Sequence, residues 1–167
     1  MNQLLVCSPL RLEARAVRRG IGAGGDVRQT GYGPEKSAAQ AASLRESPFG
    51  MLAIAGTGGG LTGDLSPGDL VVGTQVSGAG KVVSCPSAPL LAGELRRAGL
   101  RARAGPIATV SRLARGAERE RLAGTGALVA DLESAQLLAA AADRPAVVVR
   151  AVSDTRDRKS TRLNSSH

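Results

Sequence analysis

The stretch that most limits what this chain can fold into is ALVADLESAQLLAAAADRPAVVVRAVSD, Ala127–Asp154. It opens on a short apolar run, passes through an Ala-rich segment, breaks at Pro145 and closes on a second apolar run, Ala146–Val152. Continuous apolar runs bounded by breakers predict strands buried on both faces, and a helix between them predicts a strand–helix–strand unit. The fold class expected is therefore α/β. In open α/β sheets, ligands gather beyond the carboxyl ends of the strands. Asp131 and Glu133 stand where the helix should begin, and Ser153 and Asp154 end the second strand. Three carboxylates, Asp131, Glu133 and Asp154, are thus expected at one edge.

Composition closes off several alternatives. A chain of 167 residues is one domain, long enough to bury a core. Hydrophobic residues make up 43%, yet Tyr32 and Phe49 are the only aromatic side chains, so the core must be Ala, Val and Leu. Cys7 and Cys85 are too few and too far apart for a disulfide framework or a metal knuckle. They read as reduced, cytosolic thiols, no metal site is expected, and the expected location is cytoplasmic. MNQLLVCSPL lacks the basic start and the apolar length of a signal peptide, and no stretch reaches the length of a membrane span. The formal charge of +8 invites a nucleic-acid partner, but the arginines are dispersed from Arg11 to Arg121 with no aromatic residues between them to stack on bases. A GC-rich genome accounts for that composition, and nucleic acid is not an expected partner.

In chain order, Gln3–Cys7 is predicted as a strand and Pro9–Arg19 as a basic helix capped by Ser8. Gly20, Gly22, Gly24 and Gly25 form a loop. As a dinucleotide fingerprint it is poor, because it follows a helix. A short strand over Val27–Thr30, a turn at Thr30–Pro34 and a helix over Glu35–Arg45 follow. Met51–Ala55 is a buried strand running into GTGGGL, Gly56–Leu61, read either as an open loop presenting backbone N–H groups or as a tight turn needing positive φ. Leu65–Val76 is a turn at Pro67–Gly68 and another buried strand, with Val82–Cys85 extending the sheet. Ala88–Ala98 is an amphipathic helix ending at Gly99, with its arginines near the C-terminal end. Pro106–Val110 is a strand, and Arg112–Leu122 a charged, solvated helix or loop.

The tail Asp157–His167, DRKSTRLNSSH, has no periodicity and no apolar anchor, and it reads as the in-frame translation of a common sequencing adapter. We expect a domain over residues 1–156 and a disordered artefact after it. Arg158, Lys159 and Arg162 against Asp157 carry two of the eight net positive charges, and His167 is the one histidine. Without it, a Ser–His–Asp or Cys–His relay is excluded from the credible segment.

Three segments in order carry a family resemblance: GTGGGL followed by LSPGDLVV, ADLES at Ala130–Ser134, and VVVRAVSD at Val147–Asp154. Together they resemble the purine nucleoside phosphorylase and methylthioadenosine nucleosidase superfamily. The likeness spans Leu4 to about Thr155. Leu132 stands where Met is usual, and Thr57 replaces a frequent Ser. The resemblance implies a three-layer αβα sandwich around a central mixed, twisted sheet, incomplete at the C-terminus. It also implies cleavage of the N-glycosidic bond of a purine nucleoside of adenosine type. The alternative is a non-catalytic nucleoside-binding relative.

Such cleavage leaves an oxocarbenium-like sugar and a poor leaving group. An acid that protonates the base lowers the barrier, and an apolar setting would suit it. The resemblance assigns that role to Asp154, oriented by Ser153, and gives the ribose hydroxyls to Glu133. It places Asp131 (also a helix cap), Leu132, Thr57, Gly58 and Gly59 around the substrate. Arg150 is grouped with them, and a buried ion pair is expected of it. Glu13, counted from Ser8 at the strand end, falls where a nucleosidase glutamate activates water. Arg11 lies close enough to serve phosphate instead. Water is preferred, with inorganic phosphate the possible co-substrate and no other cofactor. A related bacterial subgroup linked with hopanoid and isoprenoid pathways suggests a bulky 5′ group. No aromatic residue occurs near Thr109–Leu113, where relatives often set a ring against the purine. Relatives also continue past the acid with a further helix and form dimers or larger assemblies. The fragment is accordingly expected to be poorly stable and inactive, and the intact parent an active homo-oligomer.

Overall fold

A computed structural model describes residues 3–155, so the expectations for Asp157–His167 lie outside the described residues. Among the described residues the sheet has eight strands: β1 (Leu4–Ser8), β2 (Asp26–Gln29), β3 (Met51–Gly60), β4 (Leu70–Gly78), β5 (Lys81–Ser84), β6 (Ala102–Thr109), β7 (Val129–Asp131) and β8 (Ala146–Asp154). Five α-helices accompany them: α1 (Arg11–Ile21), α2 (Pro34–Leu44), α3 (Ala88–Arg97), α4 (Gly116–Gly124) and α5 (Ser134–Leu138). The expected α/β class with a mixed sheet is what the chain adopts.

Strand order is β2-β1-β3-β7-β6-β4-β5, and β8 pairs with both β3 and β4. The pairings β3–β8, β8–β4, β4–β6, β6–β7 and β7–β3 therefore close a ring of five strands. A ring this small leaves no room for side chains at some crossings. A Cβ at Gly58 would lie 2.4 Å from Val129 Cγ1, and one at Gly105 would lie 2.2 Å from Leu128 Cδ1. Glycine is required there for close approach and not for an unusual φ.

That requirement corrects one reading of the sequence. Gly56–Gly60 is neither an open loop nor a tight turn but the second half of β3, and none of its glycines has positive φ. Ala127–Asp154 does fold as strand, helix and strand, as expected. β7 runs antiparallel to β3 while β8 runs parallel to it, so β3 separates the two. The Ala-rich segment folds as a helix only over the five residues of α5 before passing into turns.

Burial of β8 on both faces does follow the sequence pattern. Val148 packs into the main core with Leu52, Ile54, Val71 and Leu137, whereas Val149 joins Val72, Ala88 and Ala92 under α3. Pro89 near the start of α3, and Gly99 at φ +88° just past its end, fit the predicted helix limits. The Ser8 cap does not form. α1 begins at Arg11 with Leu10 as N-cap, and Glu13 Oε2 accepts from the Leu10 backbone N–H at 2.8 Å. The Ser8 hydroxyl is buried with no partner among the described residues.

Candidate active site

β8 ends in an irregularity that decides where its last two side chains go. Its register on β3 jumps from Gly58↔Val152 to Gly59↔Asp154, leaving Ser153 as the extra residue. A bulge of this kind bends the strand and re-aims its side chains. The Ser153 hydroxyl lies 3.1 Å from both Gly58 O and Asp154 Oδ1. Ser153 and Asp154 thereby face a cleft enclosing about 670 Å³ including its open mouth. Thr57, Gly58 and Gly59 line it from β3, Glu13 from α1, and Asp131, Leu132 and Glu133 from the β7–α5 connection.

The ADLES segment meets Arg150 beneath the cleft. Arg150 is fully buried, with Nε 2.9 Å from Asp131 Oδ2 and Nη2 3.4 Å from Glu133 Oε2. It also donates to Ser134 Oγ at 2.9 Å and to Thr57 O at 3.1 Å. A Cβ at Gly56 would come within 2.5 Å of Arg150 Nη1, which explains the glycine in that strand. Arg150 thus forms the buried ion pair expected of it. It lies under the floor and does not line the cleft. Asp131 is occupied in the same way. Its carboxylate accepts from Thr109 Oγ1 at 2.6 Å, from the Ser134 backbone N–H at 3.3 Å and from the Ser134 hydroxyl.

Glu133 accepts from Gly33 N at 3.2 Å at the start of α2 and is 4% exposed. Burial pushes its carboxyl above the ordinary glutamate value, against the nearby Arg150 guanidinium, which pulls the other way. Glu13 Oε1 accepts from the Thr57 backbone N–H at 2.8 Å and the Thr57 hydroxyl at 2.9 Å. An ionised carboxylate has about four lone-pair sites. Three protein donors on Glu13 leave one for a ligand or water.

Arg119 is the residue that sequence reasoning missed. Read as part of a solvated surface stretch, it is only 7% exposed. From α4 it reaches the cleft, donating to Asp154 Oδ2 at 3.1 Å and to Gly60 O. The apolar setting expected for Asp154 is therefore replaced by an ionic one. In the structure Arg119 and Leu122, three apart, share the buried face of α4. Apolar Leu61, Val110, Leu113 and Ala114 line the cleft where no aromatic residue occurs, and half-exposed Tyr32 and Leu10 stand with them. Among the described residues no group of His, Cys, Asp or Glu could hold a metal ion, and no helix is long and apolar enough to cross a membrane.

Fold and cleft define an α/β protein with a mixed sheet whose strand ends gather carboxylates over a glycine-bearing strand. A sequence profile of the phosphorylase superfamily matches residues 27–166, most of the chain, and the chain belongs to that superfamily. No curated protein sequence matches it. Among solved structures it is similar to a mutant futalosine hydrolase of Helicobacter pylori strain 26695, at 17% identity and a TM-score of 0.78, covering 92% of this chain and 90% of that one. It is also similar to the Helicobacter pylori nucleosidase MTAN, at 17% identity and a TM-score of 0.78 with 98% and 92% covered. A third is the S-adenosylhomocysteine nucleosidase of Streptococcus pyogenes in complex with 5-methylthiotubericidin, at 20% identity and a TM-score of 0.77 with 96% and 88% covered. At these identities the likeness establishes a shared fold.

Proposed function

We propose that the cleft cleaves the N-glycosidic bond of a purine nucleoside of adenosine type, with water as the nucleophile. The observation that carries this reading is that Glu13, Glu133 and Asp154, from α1, the β7–α5 connection and β8, line one cleft across Thr57–Gly59. In it, Asp154 protonates the departing base and Ser153 orients the acid. Glu133 takes the ribose hydroxyls and stabilises the positive charge that develops on the sugar. Glu13 uses its remaining lone pair to draw a proton from water. Leu61, Val110 and Leu113 offer the base an apolar wall in place of ring stacking. Leu10, Tyr32 and Leu113 give the mouth exposed apolar surface suited to an apolar 5′ group. Three layers of helix, sheet and helix, a cytoplasmic setting and assembly as a homo-oligomer belong to the same proposal.

Inorganic phosphate is the alternative nucleophile. A second reading, a nucleoside binder without turnover, is favoured by one observation: Asp154 already holds an ion pair with Arg119. The test is chromatographic release of adenine from 5′-methylthioadenosine and adenosine, with and without phosphate, by wild type and Asp154→Asn. The expected result is release without phosphate, reduced at least about 10²-fold by the substitution. A strict need for phosphate would replace water by phosphorolysis. Thermal stabilisation by nucleoside with no release from either form would establish the binder.

A further inference from the structure

We propose that Arg119 is a positioning residue for the acid of the cleft, fastening the Asp154 carboxylate to the end of β3 and balancing its charge. The inference rests on the cleavage reading for what Asp154 does, but its physical core is a set of contacts. One guanidinium donates to Asp154 Oδ2 at 3.1 Å, to the Asp154 carbonyl at 3.4 Å and to the carbonyl of Gly60. It thus ties together the last residues of β3 and β8, just past the bulge at Ser153 where the ladder resumes with Gly59 opposite Asp154.

Two features separate this from an ordinary surface ion pair. The Arg119 side chain is 8% exposed and that of Asp154 31%, so solvent screens the pair weakly. And Arg119 is left with an unmet requirement. Its Nε–H is buried with no acceptor among the described residues. A guanidinium held there at that cost is explained by the carboxylate it faces. Among the described residues, the other charged groups lining the cleft are the carboxylates Glu13, Asp131 and Glu133, with Arg150 beneath them already engaged by the last two. Glu118 and Glu120 flank Arg119 on α4 itself. Among the described residues, Arg119 is a cation that meets Asp154 within the cleft.

The consequence is twofold. Geometrically, Arg119 fixes one carboxylate oxygen while Ser153 fixes the other, so the acid meets the base in one orientation. Electrostatically, an adjacent cation favours the carboxylate over the carboxylic acid, so the pH range in which Asp154 can donate depends on Arg119. A purely structural arginine would affect neither the titration of Asp154 nor kcat at constant KM.

The experiment compares wild type with Arg119→Met, Arg119→Gln and Arg119→Lys. The Asp154 carboxyl is followed by carbon-13 NMR, assigned by the loss of its signal in Asp154→Asn, and kcat and KM are measured against pH. In Arg119→Met or Arg119→Gln the Asp154 titration should move up by about one pH unit or more. The alkaline limb of kcat should move with it, and the plateau of kcat should fall about 10- to 100-fold with KM little changed. Arg119→Lys, which keeps the charge but not the fork, should titrate near wild type and recover part of kcat. Should both neutral variants fail to fold, Arg119→Lys decides: full wild-type kcat there removes the positioning role. An unchanged Asp154 titration in a folded neutral variant overturns the proposal. If wild type releases no base, the cleavage reading fails, and the NMR titration still decides whether Arg119 governs Asp154.

Discussion

Arg150→Met tests the arrangement beneath the cleft most directly. The substitution keeps an unbranched side chain and removes the charge. Arg150 and the Asp131 side chain are both 0% exposed, and the Glu133 side chain is 6% exposed, so two buried carboxylates lose their cation at once. Removing one partner of a buried ion pair costs about 3–5 kcal/mol. Whole domains are stable by about 5–15 kcal/mol, so the loss takes a large share. It must also depend on pH, and the sign can be worked out. Without the guanidinium that opposes it, burial extends the upward shift that the folded-state pKa of Glu133 already has over its unfolded value. The folded state then binds more protons than the unfolded one, and stability falls as pH rises through that window. Each carboxyl held protonated above its unfolded pKa costs about 1.4 kcal/mol per pH unit. Urea denaturation at pH 5 and pH 8 should show Arg150→Met nearer wild type at pH 5 and several kcal/mol below it at pH 8. A deficit under about 1 kcal/mol at pH 8, or one equal at both pH values, would refute the account.

Gly58→Ala should cost about 1–3 kcal/mol through overpacking against Val129, and Val129→Ala in the same chain should recover part of it, giving non-additive denaturation midpoints. Additive losses would show that the ring has slack. Glu13→Gln should lower nucleoside hydrolysis about 10²- to 10⁴-fold while leaving the melting temperature within a few degrees, because the amide oxygen still accepts one of the three donors. Unchanged turnover would remove Glu13 from the chemistry. Burial pushes the Cys7 thiol up to about 12 and raises Cys85 as well, so iodoacetamide at pH 8 should label neither cysteine in the folded protein and both in urea. Native-state labelling at the rate of a free thiol would contradict their burial.

The sequence disclosed element types better than their connections. β4, β8, α2 and α3 fall within a few residues of the expected spans because each carries a local signal: a valine run, a breaker, or Pro at the start. The ring was not legible, since closure depends on which strands meet, and β7 contributes only three residues. The glycines misled for a related reason. Glycine is ambiguous in sequence, marking a turn, a loop or a close approach, and only the position of Val129 and Arg150 shows that close approach applies at Gly56 and Gly58. At the cleft, a pattern in ADLES and VSD located Glu133 and Asp154. Arg119 had no such pattern, since burial of an arginine within a run of charges depends on what faces it across the fold.

The carboxylates around the cleft differ in how much of their bonding capacity the protein uses, and that difference orders their roles. Asp131 receives Thr109, Ser134 and Arg150 and has 0% of its side chain exposed, so it holds the floor together. Glu133 is bonded from α2 and from Arg150, and burial keeps its proton affinity high. Glu13 keeps one lone pair open, and Asp154, at 31%, is the more exposed partner in its ion pair with Arg119. Exposure thus increases from the buried floor to the rim, from 0% at the Asp131 side chain to 31% at that of Asp154. Neutral substitutions should sort accordingly, with Asp131→Asn acting on stability before turnover and Asp154→Asn acting on turnover before stability. Motif residues two positions apart thus differ in setting, the Asp131 side chain having its partners inside the fold and Glu133 lining the cleft with bonds from Gly33 and Arg150.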